Sequence, residues 1–529
     1  MKLSRLCRAV LLWAVFGLSD IASGVHATEQ WDYLITGGMV FDGTGGPGVP
    51  ASVGVDDGQI VYVGPADAAH SADTVVDARG LVVAPGFIDP HTHALALSGD
   101  DGPVPLTGYL TQGVTTVFSG NDGGGPVDIG GTLAKLEARG LGANMALYIG
   151  HGNVRRKVMG MTARAPSAEE LGAMEVLVSK AMLGGAFGLS TGLFYAPGSF
   201  AETDEVIALA RIAAKHGGIY DSHIRDESNY GIGLVAAVDE VIEIGRRTDI
   251  PVHISHIKAL GVDVWGLSAE VIAHVDKARA EGVEITADQY PWRASGTGIG
   301  ASLVPRWAMA GGREAMITRF DAPETAMRIR TEMRENMRRR GGPASLLLTG
   351  GSEDWQGMTL DDYATSRGED PIETALHIVR EGDASVASFN MNEDDIEAFM
   401  KQPWVMTGSD GSGGHPRLFA SFPRKYQKYV IEEGVLTLAE FIQKSTSLAA
   451  DALGLEGRGQ LKPGYHADIV VFDPETYAPR ATFTEPTLLS NGVRYLFVGG
   501  APAIWGGEVT GASHGKALRR QAGEGQQGD

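Results

Sequence analysis

The 529 residues contain a single cysteine, Cys7. One thiol cannot close a disulfide within the chain, and Cys7 sits among N-terminal cations rather than behind a small-residue run of the kind that precedes lipid attachment. Everything after it is cysteine-free, which excludes thiolate metal ligands and thiolate nucleophiles there. Long apolar runs are also missing. The longest, Ala9 to Leu18, is about ten residues, too short for a stable bilayer span, so no membrane span is expected beyond it. Positive charge is scarce: 44 Lys and Arg stand against 65 Asp and Glu, for a formal charge of −21. That balance argues against nucleic acid as a partner. There is no Gly/Ser-rich block either. The 73 glycines are scattered and read as tight turns at strand ends, not as a linker.

The N-terminus has the anatomy of an export signal. Lys2, Arg5 and Arg8 precede the short apolar run, and Val25-His26-Ala27 forms a small-x-small cleavage site. Residues 1–27 are therefore expected to be removed, leaving Thr28 first and a periplasmic or secreted protein. Losing three cations and Asp20 would take the charge from −21 to −23.

Short strand patterns follow at Tyr33–Ile35, Met39–Phe41, Ala51–Val55, Gln59–Val63 and Thr74–Asp77, and again far along the chain at Asp468–Phe472 and Val493–Val498. Neither group makes a robust sheet alone, so residues 28–84 and 455–518 are expected to share one small β-sandwich. Between them the pattern becomes strand alternating with helix. Strand candidates are Val82–Ile88, Gly113–Phe118, Met145–Ile149, Phe187–Ser190, Gly218–Asp221, Ile250–Ile254, Val283–Ala287 and Trp404–Thr407. Amphipathic helices are predicted at Glu205–His216, Leu234–Arg246 and Ala269–Ala280. Eight strands meet the requirement of an α/β (β/α)8 TIM-like barrel over 85–454. Residues 304–401 read as a mostly helical insertion, and 519–529 as a polar, disordered tail.

The chemistry gathers at predicted strand ends. An apolar strand runs into His91-Thr92-His93, and side chains two apart on a strand point the same way, so both imidazoles can reach one metal. His-x-His alone is weak evidence. His223 and His256, however, each end another predicted strand, and Asp410 ends the last before a glycine-rich turn. Four histidines and an aspartate at the ends of four separate barrel strands point to a metal-dependent hydrolase site at the C-terminal face of the barrel. His253, on the opposite strand face from His256, reads as a packing or supporting histidine.

This constellation resembles the amidohydrolase superfamily, and within it the N-acyl-D-amino-acid deacylase (D-aminoacylase) family. The matching stretches are Pro85–His93, Gly113–Asn121, Gly150-His151-Gly152-Asn153, Gly188–Gly198, Asp221–Arg225, Ile254–Lys258, Asp288–Pro291, Gly408–Arg417, Leu461–Gly464 and Ala467-Asp468. The resemblance implies that His91, His93 and Asp410 surround one metal position. His223 and His256 would ligate another, with a ligand from the turn after Asn121. It implies Zn2+, with one tight site and a second, weak one. The family has cysteine after that asparagine, whereas this chain has Asp122, which puts the metal preference in play. There is no lysine at the end of Met145–Ile149 to serve as a carboxylated bridge. Asp410 becomes the general base, His151 a helper of the oxyanion, and Tyr195, Lys258, Tyr290 and Arg417 contacts near a substrate carboxylate. The implied substrate is a small N-acyl-D-amino acid. The run Ala294–Val304 contains no cation, so an apolar side chain is expected. Competing readings are a cyclic-amide hydrolase, an isoaspartyl-type dipeptidase, and a degenerate barrel serving as a binding protein.

Overall fold

The computed structural model describes residues 30–66, 70–99 and 101–520. The expected leader and the last nine residues of the expected tail lie outside them. No helix of the described residues is long and apolar enough to cross a membrane.

The strand and helix alternation folds into a parallel barrel. A parallel pair needs a crossover to bring the chain back to the same end, and the intervening helices supply it. The barrel strands are β1 (Phe87–Thr92), β2 (Val114–Ser119), β3 in two pieces (Asn144–Leu147 and Ile149–Gly150), β4 (Gly188–Gly192), β5 (Ile219–His223), β6 (Val252–Ile254), β7 (Ile285–Gln289) and β8 (Val405–Thr407). β1, β2 and the first piece of β3 pair in one arc; the second piece pairs on through β4, β5, β6 and β7 to β8. The ring closes just beyond β8, where Asp410 N donates to His91 O at 2.9 Å and His93 N to Gly411 O at 3.0 Å. The helices form where expected, as Thr203–Lys215, Leu234–Thr248 and Ser268–Ala280. In the second of these, Leu234, Val238, Val241, Ile242 and Gly245 make the buried stripe that holds it to the sheet.

Four expectations change. Val82–Ile88 is not one strand: Val82–Pro85 belongs to the terminal sheet and β1 begins after Gly86. A Cβ at Gly86 would lie 2.2 Å from Thr115 Oγ1, so only glycine lets the chain switch sheets there. The two strands expected at Tyr33–Ile35 and Met39–Phe41 are a single strand, Gln30–Val40, with a register shift between Ile35 and Gly38. The terminal segments form one continuous nine-stranded sheet, joined where Val82–Pro85 pairs with Ile469–Phe472. It curls until Ile60 N donates to Tyr465 O at 2.8 Å. Its last segment leaves the sheet and runs along the barrel: Met145 N donates to Lys516 O, and Leu518 N to Met145 O.

The insertion is not purely helical. It contains a three-stranded antiparallel sheet of Ala294–Gly298, Ser385–Phe389 and Leu346–Leu348, and so starts about ten residues before the expected 304. Ala-Ser-Gly-Thr-Gly carries no apolar alternation, which hides that strand from sequence patterning. Ile299, Phe320, Met333, Trp355 and Leu376 give the insertion a core of its own.

Candidate metal-hydrolase site

Four imidazoles and two carboxylates converge at the C-terminal ends of the strands. Asp122 stands at the centre, in the turn after β2. Its Oδ1 lies 3.5 Å from His91 Nε2, 3.5 Å from His256 Nε2 and 3.7 Å from His223 Nδ1, and its Oδ2 is 3.5 Å from His93 Nε2. Asp410 Oδ1 lies 3.1 Å from His93 Nε2 and 3.6 Å from His91 Nε2. Ligand atoms on a tetrahedron of about 2.0–2.1 Å bonds are about 3.3 Å apart, so this spacing suits a zinc ion. Buried polar atoms in the cluster, His91 Nε2, Asp122 Oδ1 and His223 Nε2, have no hydrogen-bond partner. The two metal-competent groups, His91–Asp122–His256–Asp410 and His223–Glu227–His256, share His256.

The electrostatics also call for a cation. Burial opposes charge on His91, yet Asp122, Asp410 and Asp288 push its pKa up to about 10. Burial and Lys258 oppose charge on His256, but Glu227, Asp410 and Asp122 bring it to about 9. Burial also opposes ionisation of Asp122; His91 and the neighbouring His223 and His256 rings overcome it and hold that carboxyl well below its usual range. Without a metal the cluster gathers protons, and a metal would displace them.

The backbone is bent to deliver these groups. Among the described residues, seven non-glycines have positive φ, and Asp122 (57°), His256 (35°) and Asp410 (49°) are three of them. Each such conformation costs about 1–3 kcal/mol and persists only where the surroundings enforce it. For Asp122 the enforcement comes from the helix His151–Met159: Asn153 N donates to Gly123 O at 3.2 Å, and Asn153 Nδ2 to Gly124 O at 2.8 Å.

A layer of buried acids that sequence patterning missed supports the rings. Asp288 Oδ1 accepts from His253 Nε2 at 3.1 Å and from His256 N at 2.9 Å, and lies 3.8 Å from His91 Nδ1. His253 is thus the supporting histidine expected. Asp221 accepts from Ser255 Oγ at 2.7 Å and from Asn121 Nδ2 at 3.2 Å. Glu227 is the larger omission: it lies 3.1 Å from His256 Nδ1 and 3.7 Å from His223 Nε2, and holds the Lys258 ammonium. Its only sequence signal was its place four residues after His223.

A cavity of about 500 Å³ opens over the cluster, with Tyr195, Lys258, Tyr290 and Arg417 in its wall. Arg417 Nη1 lies 2.7 Å from Asp410 Oδ2, and Nη2 donates to Ser412 Oγ at 3.0 Å. Burial alone would raise the Asp410 pKa; Arg417 and the histidines hold it far below the usual range. Tyr290 lies between two cations, with the Arg417 guanidinium 5.1 Å and Lys258 Nζ 5.6 Å from its ring centre. Tyr195 covers the His223 ring at 4.7 Å. His151 is the exception. It is not in the cavity wall but buried behind the Asp122 turn, with Nε2 2.8 Å from Glu205 Oε1, so the place expected for it at an oxyanion is not what the fold provides.

The model of the amidohydrolase family matches residues 74–504. D-aminoacylase of Alcaligenes xylosoxydans xylosoxydans is 35% identical over 94% of this chain and 99% of its own length. The chain belongs to the N-acyl-D-amino-acid deacylase branch of the amidohydrolase family. N-acyl-D-glutamate deacylase of the same organism is 36% identical over 93% of this chain and 98% of its own. The crystal structure of N-acyl-D-glutamate deacylase from Bordetella bronchiseptica, complexed with zinc and a phosphonate mimic of the tetrahedral intermediate, superposes with a TM-score of 0.80 at 35% identity. It covers 93% of this chain and all of that one. D-hydantoinase matches with a TM-score of 0.54 at 14% identity, a likeness of fold alone. This chain is accordingly a metal-dependent amidohydrolase with a TIM-like barrel.

Proposed function

We propose that the protein hydrolyses the amide bond of N-acyl-D-amino acids, releasing a carboxylic acid and a free D-amino acid. One observation carries this reading: Asp410 stands between the imidazole cluster and a buried guanidinium, its Oδ1 toward His93 and its Oδ2 on Arg417. A metal-site carboxylate and a carboxylate-binding group thus share one cavity, as an N-acyl amino acid requires.

His91, His93, Asp122, His223 and His256 would hold Zn2+. The two metal-competent groups share His256, and we read them as one tight ion and a second, weaker one. When bound, zinc polarises the scissile carbonyl and acidifies water near neutral pH. The other steps belong to the chain. Arg417 grips the substrate's α-carboxylate with its planar fork. As the guanidinium shares its charge with that carboxylate, it releases Asp410, whose proton affinity rises. Asp410 then takes the proton of the attacking water and delivers it to the amine nitrogen as the C–N bond breaks. Tyr290 and Tyr195 wall the site and exclude water. Lys258, bound to Glu227 and 2.7 Å from His256 Nδ1, positions that imidazole. Gly296 leaves Arg417 its place: a Cβ there would lie 2.9 Å from Nη2.

The test is a panel of N-acetyl D- and L-amino acids and cyclic amides with the zinc-supplemented enzyme. Turnover confined to D-substrates supports the proposal, and turnover of cyclic amides alone rejects it. We also propose export through cleavage before Thr28; recovery of the protein only in the cytoplasm, with its leader intact, would reject that.

A further inference from the structure

Arg417 opens the helix Arg417–Arg424, so the start of that helix decides where its guanidinium can stand. The first N–H groups of a helix have no partner within it, and Pro416, the residue before, supplies no side-chain cap. His415 meets the need: Arg417 N donates to His415 Nδ1 at 3.1 Å. The opposite edge of the same ring donates from Nε2 to the Ala294 carbonyl at 3.2 Å. A backbone N–H only donates and a carbonyl only accepts, so the two partners together fix a neutral ring with its hydrogen on Nε2. Burial, and then the Arg417 charge, hold the imidazole well below its usual pKa and keep it neutral. The ring is buried, and Trp292 and Phe483 meet it edge to face, with centres 5.7 and 5.0 Å away.

Ala294 begins the insertion strand Ala294–Gly298. Two residues on, Gly296 lies against the Arg417 guanidinium. His415 therefore ties the backbone of Arg417 to the strand that walls in its side chain. Helix starts are ordinarily capped by Ser, Thr, Asp or Asn. A ring with an acceptor on one edge and a donor on the other does that work and also holds the insertion in place. We infer that His415 is a positioning residue for the reaction: it sets Arg417 where the guanidinium can meet both Asp410 and the substrate's α-carboxylate. This rests on the reading of Arg417 given above and deepens it. The demand for accuracy is high, since misplacing a binding group by about 1 Å can cost about 10²-fold in rate.

Three variants of the zinc-supplemented full chain divide the role, assayed on the best N-acetyl-D-amino acid of the panel above. His415→Asn puts an amide oxygen near the place of Nδ1, keeping an acceptor for Arg417 N and giving up Ala294. His415→Gln puts an amide N–H near the place of Nε2, keeping Ala294 and leaving Arg417 N unmet. His415→Phe gives up both. The glutamine and phenylalanine variants should raise KM about tenfold or more, the worth of a buried donor left without its partner, with kcat moving less. The asparagine variant should recover most of that loss. In an Arg417→Lys background, His415→Phe should add little, because the group it positions is gone; coupled sites fail to add in this way. Equal losses in all three variants, a loss carried by kcat alone, or a full multiplicative loss in the Arg417→Lys background each overturn the inference. Neutron diffraction of the wild type tests it whether or not the variants fold: hydrogen on Nε2 alone is expected, and hydrogen on Nδ1 overturns it. Wild-type turnover of no N-acetyl-D-amino acid overturns the deacylase reading itself, and this inference with it.

Discussion

At the barrel end of the cavity, charges come in contact sets: Asp410 with Arg417 at 2.7 Å, Glu227 with Lys258, and Asp122 with four ring nitrogens within 3.7 Å. At the insertion end, Arg340 has no such partner among the described residues. The first set hangs from strand ends that a closed barrel fixes relative to one another, and three of its members sit on strained backbone that only a rigid frame sustains. The second rests on a unit with its own core, inserted between the end of β7 and the start of β8. The contrast separates two tasks. Reaction chemistry needs groups preset against each other, and the barrel presets them. Meeting an anion from outside takes a group left without a partner, and among the described residues Arg340 is such a group in the cavity wall.

The sharpest way to break this picture is at its centre. Asp122→Ala should remove tightly bound metal and turnover together, because one carboxylate contacts all four imidazoles. Metal analysis of the purified variant checks it; full zinc occupancy would reduce Asp122 to a turn former. Asp122→Cys should recover activity with zinc. The wild type, carrying a hard oxygen ligand there, should also accept manganese or cobalt, and the cysteine variant should accept them poorly. Next comes Asp410→Asn. The imidazoles and Asp122 remain, so zinc stays, while kcat falls at least about 10²-fold through loss of the proton acceptor. Near-normal kcat in that variant would end the proton-transfer role.

Which parts of this were legible in the chain follows from how local each signal is. His91, His93, His223, His256 and Asp410 were readable because each ends an apolar strand, and strand ends in a barrel face one site. Asp122 was readable only through the resemblance, since Asn-Asp-Gly also describes an ordinary turn. Glu227 and Asp288 carried almost no signal: their role is defined by rings from other strands, which patterning along the chain does not see. Arg340 was hidden for the same reason, just after a helix rich in arginine where one more cation looks like surface. The strand Ala294–Gly298 escaped because its residues lack a β pattern and it forms through pairing with Ser385–Phe389. His151 shows the opposite error. A matching motif fixed its identity, but not the direction in which it points.

Glu227 offers a test of the barrel end with an intermediate effect. Burial works against its charge, yet Lys258 and the two imidazoles hold its carboxyl far below the usual range. Glu227→Gln removes that anion and leaves the Lys258 ammonium buried without a counter-ion. Zinc affinity should fall about 10–100-fold through loss of the carboxylate behind His256. Stability should drop by about 3–5 kcal/mol, as for any buried pair stripped of one member. Zinc-competition titration and urea unfolding read the two effects separately. If both stay at wild-type values, charge pairing at this end is incidental and the contrast with Arg340 loses its meaning.

The smallest effect on turnover is expected at His151. Its Nε2 meets Glu205, which is also bound by Arg155, and its Nδ1 has no partner. Burial opposes the charge on Glu205, but His151 and Arg155 lower its pKa. His151→Gln keeps an amide donor near Glu205 and leaves the Glu205–Arg155 pair in place. The loss should therefore be one hydrogen bond's worth of stability, about 1 kcal/mol, seen as a modest fall in Tm. The residue's second link is through the helix it begins, which holds the Gly123–Gly125 turn and hence Asp122. A slack turn would weaken metal binding before it slowed chemistry, so saturating zinc should return kcat to within a few-fold of wild type. A fall of 10² or more that persists at saturating zinc would match the loss of one oxyanion donor. It would then place His151 at the reacting carbonyl after all, reached by a rotation of the imidazole toward the cavity on substrate binding.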